Sequence, residues 1–233
     1  MITDIKGKAT QVTPIVTGEG DQDYIKMTKL GAMFTADWRQ QLTLAGLVWS
    51  ASVGGVTASA DLLPVVGGGN GTVIDAAQPE LVIGVDAGYF LIPVEAHASA
   101  YNDPNTDNAI TNILLYADRT QSPDAAVVSG TTTTPVNLLD GGAAFPGRCF
   151  TATSGDMTKS PICSEILDYE SATVGAATGG AVAHSLKLDY RPEAPSIIAG
   201  PCMVALVWGG TVASSGAGVV KVACVPTSYF PVA

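Results

Sequence analysis

The sequence predicts an all-β fold, an antiparallel sandwich or barrel with at most one short helix, preceded by an extended N-terminal arm. Three observations predict it. Past residue 46 the apolar and β-branched residues fall in short runs of strand length. Clusters of turn formers separate them, among them Gly67-Gly68-Gly69-Asn70-Gly71, Asn102-Asp103-Pro104-Asn105, Asp140-Gly141-Gly142 and Ser214-Ser215-Gly216. Neither a βαβ alternation nor a repeat of fixed period is present, which disfavours parallel α/β folds and solenoids.

Residues 1–30 mix Thr, Lys, Asp and Gly with isolated Ile5, Val12, Ile15 and Val16, spaced too widely for a core element. An arm is expected there. Phe34, Trp38, Leu42 and Ala45 then recur at helical spacing, predicting a short helix with Thr35 as its N-cap. A strand over Leu42 to Ser52 competes with the end of that helix, and Gly46 marks the switch. The expected strands are Leu47–Val53, Leu62–Val66, Leu81–Val85, Tyr89–Ser99, Ala109–Ala117, Ala125–Val128, Arg148–Ala152, Cys163–Asp168, Val182–Tyr190, Pro201–Trp208 and Val219–Val225. Residues 1–39 thus form the arm and the start of the helix, and 40–233 one β-sandwich domain, a length that a single sandwich can occupy.

The last two runs predict a hairpin. If its loop centres near Ala213, Leu206 pairs with Val220, Val204 with Val222 and Cys202 with Cys224 on one apolar face. The other face, with Lys221, Ala205 and Ala223, is then the wetter one. A similar symmetry about Asp156 brings Cys149 near Cys163.

Charge narrows the function classes. The chain carries a formal charge of -10, and residues 1–39 balance Lys6, Lys8, Lys26, Lys29 and Arg39 against Asp4, Glu19, Asp21, Asp23 and Asp37. The negative excess therefore belongs to the body, which argues against direct nucleic-acid binding. No apolar run approaches the roughly 18 residues of a membrane span, so no membrane association through a helix is expected. The start, Met1-Ile2-Thr3-Asp4-Ile5-Lys6, lacks a secretory pattern. The four cysteines form no C-x-x-C pair and have no histidine at ligand spacing, so buried thiols are expected and no metal or cofactor.

Candidate chemistry is thin. Asp103-Pro104-Asn105-Thr106-Asp107-Asn108 starts like a calcium loop, but Asn108 and Leu114 stand where such a loop needs Gly and Glu. It reads as a polar connection. The glycines of 67–71 lack the Lys-Ser/Thr and the helix that a phosphate loop needs. Glu95 and His97 share one strand face, which makes an acid/base pair conceivable, yet same-face polar residues are also what half-exposed strands show. His184 reads as a strand-edge residue. Trp38, Trp49 and Trp208 sit in apolar patterns and read as core or interface packing rather than sugar platforms. Thr131-Thr132-Thr133-Thr134-Pro135 has an exposed-loop composition.

An order of features gives the chain a likeness. The polar arm ends in Tyr24-Ile25-Lys26-Met27-Thr28-Lys29-Leu30-Gly31, and the helix-like Asp37-Trp38-Arg39-Gln40-Gln41 follows. Next come Gly46-Leu47-Val48-Trp49-Ser50-Ala51, a long strand pair (Tyr89 to Tyr101, Ile110 to Asp118) and Ile197-Ile198-Ala199-Gly200-Pro201 before an apolar strand. In this order the chain resembles the jelly-roll structural proteins of tailed-phage virions. The resemblance implies a jelly-roll type antiparallel sandwich and a capsid decoration, cement or coat role without catalysis, in the virion after synthesis in the host cytoplasm. Its partners would be other capsid proteins and copies of itself.

A trimer is expected, because positive mean hydropathy and few charges leave more apolar surface than one sandwich covers. The arm residues expected to grip a neighbour are Ile5, Lys6, Lys8, Val12, Ile15, Val16, Lys26 and Lys29. A carbohydrate- or ligand-binding β-sandwich is the alternative, and an enzyme or other barrel protein is the third reading.

Overall fold

The computed structural model describes residues 37–54, 65–66, 69–70, 77–102, 109–124, 128–155, 157, 160–171, 185–210 and 214–229. One helix, α1 (Trp38–Leu44), precedes the strands β1 (Val48–Val53), β2 (Val65–Val66), β3 (Gly69–Asn70), β4 (Leu81–Val85), β5 (Tyr89–Asn102), β6 (Ala109–Asp118) and β7 (Val128–Thr132). Then follow β8 (Val136–Asn137), β9 (Arg148–Gly155), β10 (Ser160–Ser171), β11 (Ser185–Tyr190), β12 (Ile198–Ala199), β13 (Cys202–Gly210) and β14 (Ser214–Pro226). A 3-10 turn, Thr227–Tyr229, ends the described chain.

The strands pair as two seven-stranded sheets. The first runs β11-β5-β14-β1-β8, with β12 on β5 and β2 on β14, and the second runs β10-β6-β13-β4-β9-β7, with β3 on β13. Eight strands form the frame: β1, β4, β5, β6, β10, β11, β13 and β14. Among them the first pairs with the last, the second with the seventh, the third with the sixth and the fourth with the fifth, all antiparallel. That nested pairing is a jelly roll. The segment β7 to β9, inserted between the fourth and fifth, returns to the opposite side and extends both sheets there, β9 beside β4 and β8 beside β1.

The expected hairpin is a correction. β13 pairs with β4 and β6 in one sheet, whereas β14 pairs with β1 and β5 in the other. Cys202 and Cys224 therefore meet through the core and not across a ladder. Cys149 and Cys163 are not ladder partners either, since β9 pairs with β4 and β7 while β10 pairs with β6. The misreading has a cause. Cys202–Trp208 is apolar on both faces because the second sheet is covered on both: Val82, Tyr116, Met203, Ala205 and Val207 are buried behind it with Val128, Phe150 and Met157. A strand buried twice carries no alternation from which to read its partner. Ala205 and Ala223, expected on a wet face, are 1% and 0% exposed.

Helix α1 starts later than its pattern predicts. The N-cap is Asp37, whose carboxylate accepts from the Gln40 N–H at 2.8 Å, and Thr35 lies outside the described residues. Its end falls where Gly46 placed it. Gly46 takes φ 69°, its N–H reaches the Thr43 carbonyl at 2.9 Å, and the Leu47 N–H reaches Leu42 at 3.0 Å. This is a Schellman close, which glycine's positive φ permits. Trp38, Leu42 and Leu47 then pack on Val48, Ile92, Val94, Ala223 and Val225, covering part of the first sheet's outer face.

Between the sheets, large residues meet small ones. Leu206 and Trp208 of β13, both fully buried, lie against β14, whose facing positions are Gly216 and Gly218. A Cβ on Gly216 would stand 2.6 Å from the Ser99 carbonyl oxygen and 2.9 Å from Trp208 Cε2. Gly216→Ala should therefore cost roughly 1–3 kcal/mol, the usual range for overpacking a filled core. A lower urea midpoint with an unchanged slope is the expected result.

Candidate functional site

The outer face of the first sheet changes character along β5. In β14 the step from Lys221 to Val222 faces Glu95 and Pro93, so Val94 is an extra residue, a bulge. Below it Ile92 and Val94 lie under α1. Above it Ala96, Ala98 and Ala100 point into the core, and Glu95, His97 and Ser99 alternate outward. Strand pairing sets Lys221 of β14 beside Glu95, and Asp189 of β11 beside His97.

These four side chains make one polar track. Lys221 Nζ lies 3.0 Å from Glu95 Oε1, His97 Nε2 lies 2.5 Å from the same oxygen, and His97 Nδ1 lies 3.2 Å from Asp189 Oδ1. Glu95 is the most sheltered, its side chain 17% exposed against 75% for Asp189. Burial by itself would raise the Glu95 carboxyl pKa, but the hydrogen bonds and charges of Lys221 and His97 outweigh it and hold the group below its ordinary value. A neutral imidazole has one N–H, so only the protonated ring donates to both carboxylates at once.

Beside the track lies a shallow depression of about 430 Å³, floored by Ala217 and Val219 and bordered by Ser52, Gly54, Ser99, Lys187 and Asp189. Small residues at these outward positions leave the hollow. Glu95 and His97 share one strand face, as read, and their side chains meet there. Lys221 and Asp189 were not read as its partners, since they come from strands more than 90 positions away and only the ladder register joins them.

Two further carboxylates were missed. Glu80, 3% exposed, accepts from the Trp208 backbone N–H at 2.8 Å, just where the ladder between β4 and β13 ends. Asp118, fully buried, accepts from the Thr120 N–H and hydroxyl and from Gln121 Nε2 at 2.7–2.9 Å. Asp118 had a readable signal, an aspartate two residues before a threonine at a strand end. Glu80 had none.

Other expected positions resolve as follows. Trp49 and Trp208 are core residues, and the Trp49 indole donates to the Ala143 carbonyl at 3.1 Å. Trp38 packs at the edge of the helix-covered cluster, 4.6 Å below the Arg39 guanidinium. Gly69–Asn70 is a short strand, and Thr131 and Thr132 belong to β7. The arm residues Ile5, Lys6, Lys8, Val12, Ile15, Val16, Lys26 and Lys29, the loop 103–108 and His184 lie outside the described residues. No protein-family model, curated protein or solved structure matches the chain.

Cys149, Cys202 and Cys224 are buried free thiols, and burial pushes each up to about 12. At neutral pH they should resist iodoacetamide in the folded protein and react fully once it is unfolded, as mass spectrometry of the alkylated chain would show. Recovery of a Cys202–Cys224 disulfide from native protein would contradict this. Glu95 gives the pH test. Its folded pKa is depressed, so its contribution is complete above the usual carboxylate range and is lost as pH falls through the folded value. Glu95→Gln should destabilise the protein by ~1 kcal/mol or less at pH 7. The difference from wild type should shrink below about pH 4 in paired denaturation curves.

Proposed function

We propose that this chain is a structural protein of a virion, a jelly-roll decoration, cement or coat component that works by subunit contacts and not by catalysis. It is made in the host cytoplasm and carried in the capsid. Its partners are other capsid proteins and copies of itself, arranged as a trimer.

One observation carries the reading. Past the arm segment, which lies outside the described residues, the sequence features that resemble tailed-phage head proteins fall on successive elements of the roll: Asp37-Trp38-Arg39-Gln40-Gln41 enters α1, Gly46–Ala51 leads into β1, the long pair is β5 and β6, and Ile197–Pro201 passes through β12 to β13. Jelly rolls also serve lectins and cupins, so the fold by itself does not choose among them. The depression beside His97 favours a second reading, a carbohydrate- or ligand-binding module. Binding of the purified protein on a glycan array would support that one.

Mass spectrometry and immunogold microscopy of gradient-purified particles, from cells making this protein, test the first reading. The chain should copurify with heads at a fixed ratio and label them, and heads free of it would overturn the proposal. The arm gives a further test. Deleting residues 1–30 should leave the melting of the isolated subunit nearly unchanged while weakening assembly or shell attachment.

A further inference from the structure

We propose that the corner of the sandwich built by the end of α1, β8 and the turn after it is the surface through which copies of this chain meet. The inference rests on the assembling role above and names its face.

Four of the five large apolar side chains exposed among the described residues are Leu44 (55%), Val136 (67%), Leu138 (41%) and Leu139 (36%). They come from two separate parts of the chain. The fold brings them to one place: Leu139 Cδ2 lies 3.3 Å from where a Gly46 Cβ would stand, at the close of the helix that ends in Leu44. The Leu138 N–H reaches the Val48 carbonyl at 2.9 Å, so the leucine turn is tied to β1.

The corner is held rigid from within. Asn137 donates from Nδ2 to the Gly46 carbonyl at 2.9 Å and to the Ala143 carbonyl at 3.0 Å, and its Oδ1 accepts the Leu139 N–H at 2.9 Å. Trp49 anchors the same loop, with its ring edge-on to Phe145 at 5.6 Å between centroids. Such a surface is ordered before any partner arrives, which lowers the entropic cost of association.

Charge selects the occupant. The chain carries -10, so most approaches of one copy to another bring like charges together. From Ala125 to Gly147 the only ionisable side chain is Asp140. That stretch contains β7 and β8, the terminal strands of the two sheets on this side. The opposite side carries Lys187 and Asp189 on β11 and, in the sequence of β10, Glu165, Asp168 and Glu170. A basic partner would select the acidic remainder of the body. An apolar corner with Asp140 as the one charge of its turn suits a copy presenting the same corner better than the acidic remainder does, and around a symmetry axis each copy presents it at once.

Sedimentation velocity of the full chain at micromolar concentration tests the proposal. Wild type should sediment as an oligomer, and Val136→Asp with Leu138→Asp should weaken association by at least ~10-fold, since the new carboxylates would be desolvated against their own copies. Both positions are exposed, so the melting temperature should hold. Should that variant unfold, Thr132→Lys, on an exposed residue of the neighbouring edge, decides in its place. Ile197→Asp, at the one exposed large apolar residue outside the corner among the described residues, should leave association unchanged.

A wild-type chain that stays single overturns the inference, and the assembling role with it. An oligomer that survives the corner variants, or that only Ile197→Asp dissolves, overturns the inference and leaves the role standing. Loss of the oligomer in the corner variants, from a protein then found absent from virions, keeps the inference and overturns the virion reading.

Discussion

Val94 is the extra residue that sets which side chains of β5 face the core over the half of the strand beyond it. β5 and β14 are 14 and 13 residues long and pair over nearly their whole length, so one register error would propagate to every position beyond it. Without the bulge, the alternation begun at Leu91 and Ile92 would put Glu95 and His97 inward and Ala96 outward. The insertion turns the upper half of the strand by one position. Glu95 gains Lys221 and solvent, and three alanines line the core instead. A charged pair in place of those alanines would be costly to bury.

That alanine stripe, with the glycines of β14, is also what lets the second sheet come close. Trp208 and Leu206 project from β13 into space that larger residues would fill, so the two layers interlock by size. The ends of the ladder need separate treatment, because a backbone N–H that loses its strand partner inside the protein must find another acceptor. Glu80 supplies one to Trp208 where β4 stops. Asp118 does the same for the turn that leaves β6. These buried carboxylates thus close gaps in the hydrogen bonding at strand ends.

Much of this architecture was legible. Leu81–Val85 forms β4 as read, the long pair β5 and β6 is found with modest extensions, and Gly46 does end the helix. What failed, failed for stated causes. The run 202–208 is apolar on both faces and so hid its partners, and reading it as a hairpin with β14 treated chain proximity as pairing. Strands of two residues such as β8 and β12 carry no periodicity, because they exist only through the longer strand beside them. Glu95 and His97 were visible as a same-face pair, whereas Lys221 and Asp189 joined them only through register. The arm, residues 1–30, lies outside the described residues.

The edges of the two sheets are guarded in two different ways, and the difference bears on how the protein meets others. An unpaired strand edge invites addition of a foreign strand unless charge, a bulge or brevity prevents it. On one side β11 carries alternating Lys187 and Asp189. On the other, β7 breaks its register between Ser129 and Thr131, and β8 is only two residues long and follows Pro135. The second strategy blocks strand addition without adding charge. A side protected in that manner can still bury exposed Val and Leu against a neighbour while refusing to extend its sheet into one. Contact there would be limited to side-chain packing, which depends on shape and can close around a symmetry axis, whereas open-ended strand pairing would continue into fibres.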